Sequence, residues 1–338
     1  MSHPRIIIYI FICLLAFISC NEKITTTNPN PNFAKGADIS WVTEMESKGI
    51  KFRNIQGEER ECTALMKELG MNSIRLRVWV NPKDGWCGKE DFMIKARRAK
   101  SLGMRLMVDF HYSDWWADPG KQNKPDAWKT YNIEELKAAV AAHTIDILSE
   151  LKSEGITPEW VQVGNETGHG MLWDDGKLST NPENYAQLNN AGYDAVKSIF
   201  PEAKVIIHVH SGNDKGLFEW VFSTLKSHNA KWDIIGMSLY PSINDWKQKT
   251  DECIENARQL IAKYDTEVMI CEVGMSWDQP QYCYSFLKSL IYKARHLPGN
   301  RCLGVFYWEP QSNPSWNNYS LGAFDQNWQP TKAMDAFR

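Results

Sequence analysis

The chain has 338 residues, 43% hydrophobic and 23% charged, with 38 Lys and Arg against 41 Asp and Glu for a net charge of −3. Such a composition excludes a disordered polypeptide, and so balanced a charge provides no general attraction for nucleic acid or anionic surfaces. A mean hydropathy of −0.45 excludes a polytopic membrane protein.

In chain order, the first feature is an address. Arg5 precedes an unbroken apolar run over 6–18, closed by Ser19 and Cys20. A basic flank and about 13 apolar residues read as a secretory signal, too short for an ordinary spanning helix. Cys20 directly after Ser19 resembles a bacterial lipobox. The expectation is a signal peptide over 1–19, lipidation of Cys20, a flexible Asn-, Thr- and Pro-rich tether over 20–32, and one large domain over 33–338. The protein would then be an exported, membrane-anchored lipoprotein of a bacterial cell envelope, at the outer membrane. Outside the leader stand Cys62, Cys87, Cys253, Cys271, Cys283 and Cys302. Export would allow some of them to pair, none has zinc spacing, and Cys271 in an apolar strand reads as a buried thiol.

From Phe33 onward, short β-rich runs alternate with helical periodicity. Strands are predicted over 36–40, 73–80, 105–110, 160–163, 204–208, 234–239, 268–271 and 303–307. Helices are predicted over 58–69, 91–102, 133–154, 182–200, 217–226, 251–264 and 281–296. Gly70, Gly103 and Gly155 follow helical runs where a left-handed residue is wanted. Asn132 and Asn181 stand at N-cap positions, the second before Pro182. Repeated βα units imply parallel strands with right-handed crossovers, and eight of them close into a single-domain (β/α)8 TIM barrel. A doubly wound sheet would want a Gly-rich phosphate turn, and neither GxGxxG nor GxxxxGK[ST] occurs.

In such a barrel, function gathers where strands end. These tips carry Asp38 and Trp41; Arg75, Arg77 and Trp79; Asp109, His111 and Asp114; Asn165 and Glu166; His208 and His210; Tyr240; Glu272; Trp308 and Glu309. Two carboxylates stand out, Glu166 after the fourth strand and Glu272 after the seventh. Facing carboxylates are what glycosidic cleavage needs, one protonated toward the leaving oxygen and the other ionised. Arg75 is placed to keep Glu272 ionised, Tyr240 to donate to it, and Asn165 to hold a sugar 2-hydroxyl. The aromatic surplus, 15 Trp beside 13 Phe and 12 Tyr, suits sugar rings with apolar faces and polar rims.

An Asn-Glu pair after strand four and a Glu after strand seven resemble the large clan of retaining glycoside hydrolases on this barrel. The blocks Lys35-Gly36-Ala37-Asp38-Ile39-Ser40-Trp41, Ile74-Arg75-Leu76-Arg77-Val78-Trp79-Val80-Asn81-Pro82 and Asp109-Phe110-His111-Tyr112-Ser113-Asp114 are similar to glycoside hydrolase family 53, the endo-β-1,4-galactanases. So are Trp116-Ala117-Asp118-Pro119-Gly120, Val163-Gly164-Asn165-Glu166 and Phe306-Tyr307-Trp308-Glu309-Pro310. The resemblance covers Lys35 to about Gln311. It implies retaining cleavage of β-1,4-galactan, the side chain of type I arabinogalactan, with Glu166 as acid/base and Glu272 as nucleophile. Arg75, Asn165, Tyr240 and Trp308 match supporting positions of the clan. Asp38, Trp41, Trp79, His111, Asp114, Trp116 and Asp118 fall in motifs that line the cleft. Some bacterial members bind calcium on a longer loop after strand seven; here 273–280 is short, with Asp278 its one strong oxygen ligand, so calcium is not expected, nor any other cofactor.

Several residues invite other readings. His208-x-His210 has metal-pair spacing, but a third ligand is not evident, and hydrogen bonding to sugar hydroxyls or to Glu272 is favoured over metal. Asn165-Glu166-Thr167 fits a glycosylation sequon by coincidence. Trp115, Trp220, Trp232 and Trp246 read individually as core residues, and Glu309 should point opposite to Trp308. The expected partners are a polysaccharide and, through the lipid, a membrane; no nucleic acid is expected, and the chain should act as a monomer. Alternatives are another β-1,4-glycanase of the clan, acting on mannan or cellulose, or a non-catalytic glycan-binding lipoprotein, against which the carboxylate pair argues.

Overall fold

Eight apolar runs, each bounded by turn residues, form the strands β1 (Ala34–Asp38), β2 (Ser73–Val78), β3 (Arg105–Phe110), β4 (Trp160–Val163), β5 (Lys204–Val209), β6 (Ile234–Leu239), β7 (Glu267–Val273) and β8 (Cys302–Trp308). All neighbours pair in parallel, and the order β1-β8-β7-β6-β5-β4-β3-β2 closes on itself. The predicted TIM barrel is the observed fold. The computed structural model describes residues 29–338. The expected signal peptide, Cys20 and the tether as far as residue 28 lie outside the described residues. Asn30, assigned to the flexible tether, is instead buried. Its backbone N–H donates to the Arg295 carbonyl, and its amide donates to the carbonyls of Asn300 and Cys302 at the base of β8.

The helices are α1 (Val42–Ser47), α2 (Cys62–Glu68), α3 (Lys89–Ser101), α4 (Ile133–Ser153), α5 (Pro182–Ile199), α6 (Lys215–Ser227), α7 (Trp246–Tyr264) and α8 (Pro280–Arg295). Asn132 caps α4 in a reciprocal box with Glu135, so two backbone donors that the helix leaves open are satisfied. Asn181 does not cap α5: its amide donates to the Asp174 carbonyl, and Pro182 alone sets the entry. Gly70, Gly103 and Gly155 all adopt positive φ. The short α1 has no counterpart in the predicted elements, and a 3₁₀ segment, Lys332–Phe337, takes the place of an eighth outer helix against α8.

Inward-facing positions alternate along the strands, with one exception, and they change character on the way up. At the strand starts Met107, Trp160, Ile206, Ile234, Met269 and Phe306 form a closed apolar plug, with Trp160 and Phe306 edge-on at 6.0 Å. Gly36 makes room for this plug, since a Cβ there would lie 2.2 Å from the Phe306 ring. Two residues further along the same stripes, or four in the strand that carries Gly236, stand Asp38, Arg75, Asp109, Gln162, His208 and Ser238, all 1% exposed or less. So many polar groups in one dry layer are tolerable only if they satisfy one another.

One strand breaks the alternation. Met269 and Cys271 both belong to the inner plug, so regular pleating would turn Glu272 outward. Pairing with β6 advances from Met237–Ile270 to Ser238–Glu272, inserting one extra residue. This β-bulge re-aims the Glu272 side chain into the barrel.

Candidate active site

Arg75 is the centre of the polar layer and is fully buried. Its Nη1 donates to Asp38 Oδ2 at 2.7 Å, and its Nε donates to Gln162 Oε1 at 2.7 Å. Nη2 donates to Asn165 Oδ1 at 2.9 Å and lies 2.9 Å from Asp109 Oδ2 and 2.8 Å from Glu272 Oε1. The last contact is an ion pair without hydrogen-bond alignment. Burial by itself would raise the Asp109 carboxyl, but Arg75, with His111 and His208, holds it down to about 2. Removing one member of such a buried set costs roughly 3–5 kcal/mol, because its partners are left charged and dry. The other oxygen of Glu272, Oε2, accepts from the Tyr240 hydroxyl at 2.8 Å.

Glu166 reaches the same space by a different route. Gly164, at φ +90°, turns the chain sharply out of β4, and a Cβ there would meet Thr167 Cγ2 at 2.6 Å. Only glycine accommodates both demands. Glu166 itself sits in the left-handed region at φ 48° and ψ 46°, a strained setting for a non-glycine residue. Its Oε1 accepts from the Ser238 hydroxyl at 2.7 Å. Burial raises the pKa of both glutamates. For Glu166 the Ser238 hydrogen bond and Arg75 oppose the rise, while Asp118 and Asp109 add to it. For Glu272 Arg75 opposes it, the Glu166 charge and Asp109 add to it, and Tyr240 opposes it again.

Both carboxylates line one cavity of about 280 Å³, walled by Trp116, Asp118, Asn165, Tyr240, Trp308 and Tyr319. Trp116, Trp308 and Tyr319 also border a neighbouring cavity of about 380 Å³, whose other walls include Trp41, Trp79, Trp86 and Trp115. Together they make an aromatic groove leading to the glutamates. Beneath it lies the buried Arg77 guanidinium, 4.4 Å from the Trp116 ring centroid, 5.2 Å from Trp41, 5.6 Å from Trp79 and 5.9 Å from Trp308. Two of its nitrogens have no hydrogen-bond partner, so the indole faces take that role. Glu309 neutralises Arg77 and accepts the Trp41 backbone N–H at 3.1 Å. It does not line the cavity; the strand ends at Trp308, so alternation does not set its direction, and Glu309 at φ 50° meets Arg77 instead. A larger depression of about 870 Å³ lies at the opposite end, where β5–β8 begin. Its charges pair locally, Lys197 with Asp233 and Arg301 with Asp265, so size does not mark the chemistry here.

The predicted residues fall into distinct groups. Glu166, Glu272, Trp116, Asp118, Asn165, Tyr240 and Trp308 line the carboxylate cavity, and Trp41 and Trp79 line its aromatic extension. Asp38, Arg75 and His208 lie beneath, touching other side chains rather than open space. His111 was expected in the cleft, yet both ring nitrogens are engaged, one with Asp109 at 3.0 Å and one with the Ala117 N–H at 3.1 Å. Asp114 likewise receives the backbone N–H groups of Asn81 and Asp126, both at 2.9 Å. These two residues brace the loops that carry Trp116. His208 reaches neither sugar space nor Glu272; it contacts Ser238, Gln162 and Asn165. His210 turns away and packs on His169 at 5.2 Å, so the pair does not converge. Asn165 donates one amide hydrogen to the Ala117 carbonyl at 2.8 Å, leaving its second for a ligand.

Trp115, read as core, is 57% exposed and tilts against Trp79 at 4.9 Å. The six cysteines Cys62, Cys87, Cys253, Cys271, Cys283 and Cys302 are all buried free thiols. Gln162, Ser238, Trp86 and Tyr319 were not singled out. The first two carried a legible signal as polar residues on inward stripes; Trp86 and Tyr319 lie in aperiodic loops that offer none.

A family model described as glycosyl hydrolase family 53 matches residues 34–337. A protein of Aspergillus fumigatus named probable arabinogalactan endo-beta-1,4-galactanase A is 31% identical over 317 residues, covering 86% of each chain. A structure from a study of two fungal β-1,4-galactanases superposes with a TM-score of 0.81 at 27% identity, covering 89% of this chain and 98% of its own. The GH53 catalytic domain of Ignisphaera aggregans gives 0.82 at 28% identity, covering 92% and 98%. With the barrel, the facing carboxylates and a match across nearly the whole described chain, this protein belongs to glycosyl hydrolase family 53.

Proposed function

We propose that this chain is an endo-β-1,4-galactanase that hydrolyses galactan with retention at the anomeric carbon, Glu272 acting as nucleophile and Glu166 as acid/base. The observation that carries the assignment is the asymmetry between two buried carboxylates on one cavity. Burial raises Glu272 as well as Glu166, so burial does not choose between them. Contacts do: Arg75 at 2.8 Å and the Tyr240 hydroxyl at 2.8 Å both favour charge on Glu272. Because two adjacent buried charges repel, the proton stays on Glu166.

In the first step Glu272 forms a bond to C1 as the glycosidic C–O bond breaks, and Glu166 gives its proton to the departing oxygen. In the second, Glu166 takes a proton from water, whose oxygen attacks C1 and releases the Glu272 carboxylate. The groove of indoles supplies flat surfaces for successive sugar rings, which supports an endo-acting enzyme on a polymer. Incubation with linear galactan, mannan and cellulose should give oligosaccharides from galactan alone, and proton NMR should show the β-anomer released first. Cleavage of mannan or cellulose instead, or an initial α product, would overturn this assignment.

The leader supports a second reading, that the enzyme is exported and held at the cell envelope by lipid on Cys20. Asn30 is docked at the end of the barrel opposite the cavity, which supports an anchor that leaves the groove open to polymer. Cys20→Ala should move the protein from the membrane fraction to the soluble fraction of a bacterial host. Persistent membrane retention would refute the lipid anchor.

A further inference from the structure

Ser238 Oγ lies between Glu166 Oε1, at 2.7 Å, and His208 Nε2, at 2.8 Å. The direction of each hydrogen bond on this path follows from its neighbours. Arg75 has only donors, so Gln162 accepts its Nε–H through Oε1. The Gln162 amide nitrogen then faces Asp109 Oδ1 at 3.1 Å and His208 Nδ1 at 2.9 Å. The backbone N–H of Glu166 points to the same Nδ1 at 3.4 Å. Asn165 Oδ1, which also accepts from Arg75, is 3.0 Å from that nitrogen and is the one acceptor set against these two donors. A proton on Nδ1 would oppose two N–H groups, so Nδ1 carries the lone pair. Burial beside Arg75 keeps the imidazole neutral, which assigns its proton to Nε2. His208 therefore donates to Ser238, and the Ser238 hydroxyl has Glu166 Oε1 left to donate to.

We infer that Ser238, oriented by His208, is a positioning residue that reserves Glu166 Oε1 as an acceptor and confines the acid proton to Oε2. Among the described residues none hydrogen-bonds Oε2, and that oxygen is the one free to serve substrate. An acid whose proton could sit on either oxygen would spend part of its time aimed at the protein. The same hydroxyl steadies the carboxylate once the proton has left, as the base step requires. The inference rests on the reading of Glu166 as acid/base.

Ser238→Ala, Ser238→Thr and Glu166→Gln should be compared with the wild type on galactan and on a dinitrophenyl galactoside, whose leaving group needs no proton. Ser238→Ala should lower kcat on galactan by about tenfold with little change in KM, the loss of one charge-assisted hydrogen bond. It should spare kcat/KM on the activated substrate and shift the alkaline limb of the pH profile upward, because a donor to the carboxylate is gone. Arg75, Asp109, Asp118, His208, Tyr240 and Glu272, the other groups facing Glu166, stay in place, so the shift reports the hydroxyl. Ser238→Thr should restore both readouts. Equal losses on the two substrates with an unmoved alkaline limb, or no loss at all, would overturn the inference. If Glu166→Gln is inactive on galactan while Ser238→Ala matches the wild type, the positioning role alone falls. An active Glu166→Gln enzyme would remove the acid/base reading and this one with it.

Discussion

Replacing Glu272 by Gln is expected to lower kcat on galactan by at least about 10⁴-fold while galactan still binds. The substitution keeps shape and can still accept from Tyr240, but it removes the charge that attacks C1. A neutral amide oxygen is a poor nucleophile, and the covalent intermediate cannot form. Collapse of the site is not an alternative cause. Arg75 keeps Asp38 and Asp109 as partners, and the amide can still face the guanidinium through its oxygen. The aromatic groove depends on Arg77 and Glu309 instead, so its indoles keep their places. Turnover and calorimetric binding measured on the same preparation separate these contributions. A variant within tenfold of the wild-type rate would exclude Glu272 as nucleophile. A variant that lost binding as completely as turnover would assign Glu272 to the holding of substrate.

How far such a site can be read from sequence is clear from its individual members. The barrel was legible because three strand spans, 105–110, 160–163 and 234–239, are bounded by unambiguous turn signals, and because glycine ends the helices α2, α3 and α4. The helix α1 was hidden by its length, six residues against a strand end. The first turn of α7 was hidden because Lys247, Gln248 and Lys249 carry no apolar signal. Within the site, Asn165, Tyr240 and Trp308 were found by position at strand ends. Glu272 is different: alternation from Met269 and Cys271 points it out of the barrel, and the bulge that brings it in is a property of pairing with β6. Its place directly after the strand predicted over 268–271 found it where alternation could not. His111 and Asp114 were misassigned because a polar residue at a strand tip can face a ligand or a neighbouring loop, and composition does not tell the two apart. Ser238 has no strand-tip signal because it lies inside the strand, one pleat below the tip at Tyr240.

The second large effect belongs to Glu166. Glu166→Ala should reduce turnover of galactan by about 10²–10⁴-fold, the usual contribution of a positioned acid. A poor leaving group such as a sugar hydroxyl cannot depart without its proton. A dinitrophenyl substrate departs without help, so its first step should survive and the covalent enzyme should accumulate. Azide, small enough for the space vacated by the carboxylate and needing no base, should then attack C1 and restore turnover, giving a β-glycosyl azide. The pH profile supplies an independent test of the same assignment. In the wild type, activity requires Glu272 ionised and Glu166 protonated, so the rate rises as Glu272 loses its proton and falls as Glu166 loses its own. Burial moves both limbs above the range of exposed carboxylates. With Glu166 absent, the alkaline limb should vanish on the activated substrate. Glu272, freed of a neighbouring negative charge, should ionise more readily, and the acid limb should move down. An alkaline limb that persisted in Glu166→Ala would show that a group other than Glu166 sets it, and absence of azide rescue would place Glu166 outside the second step.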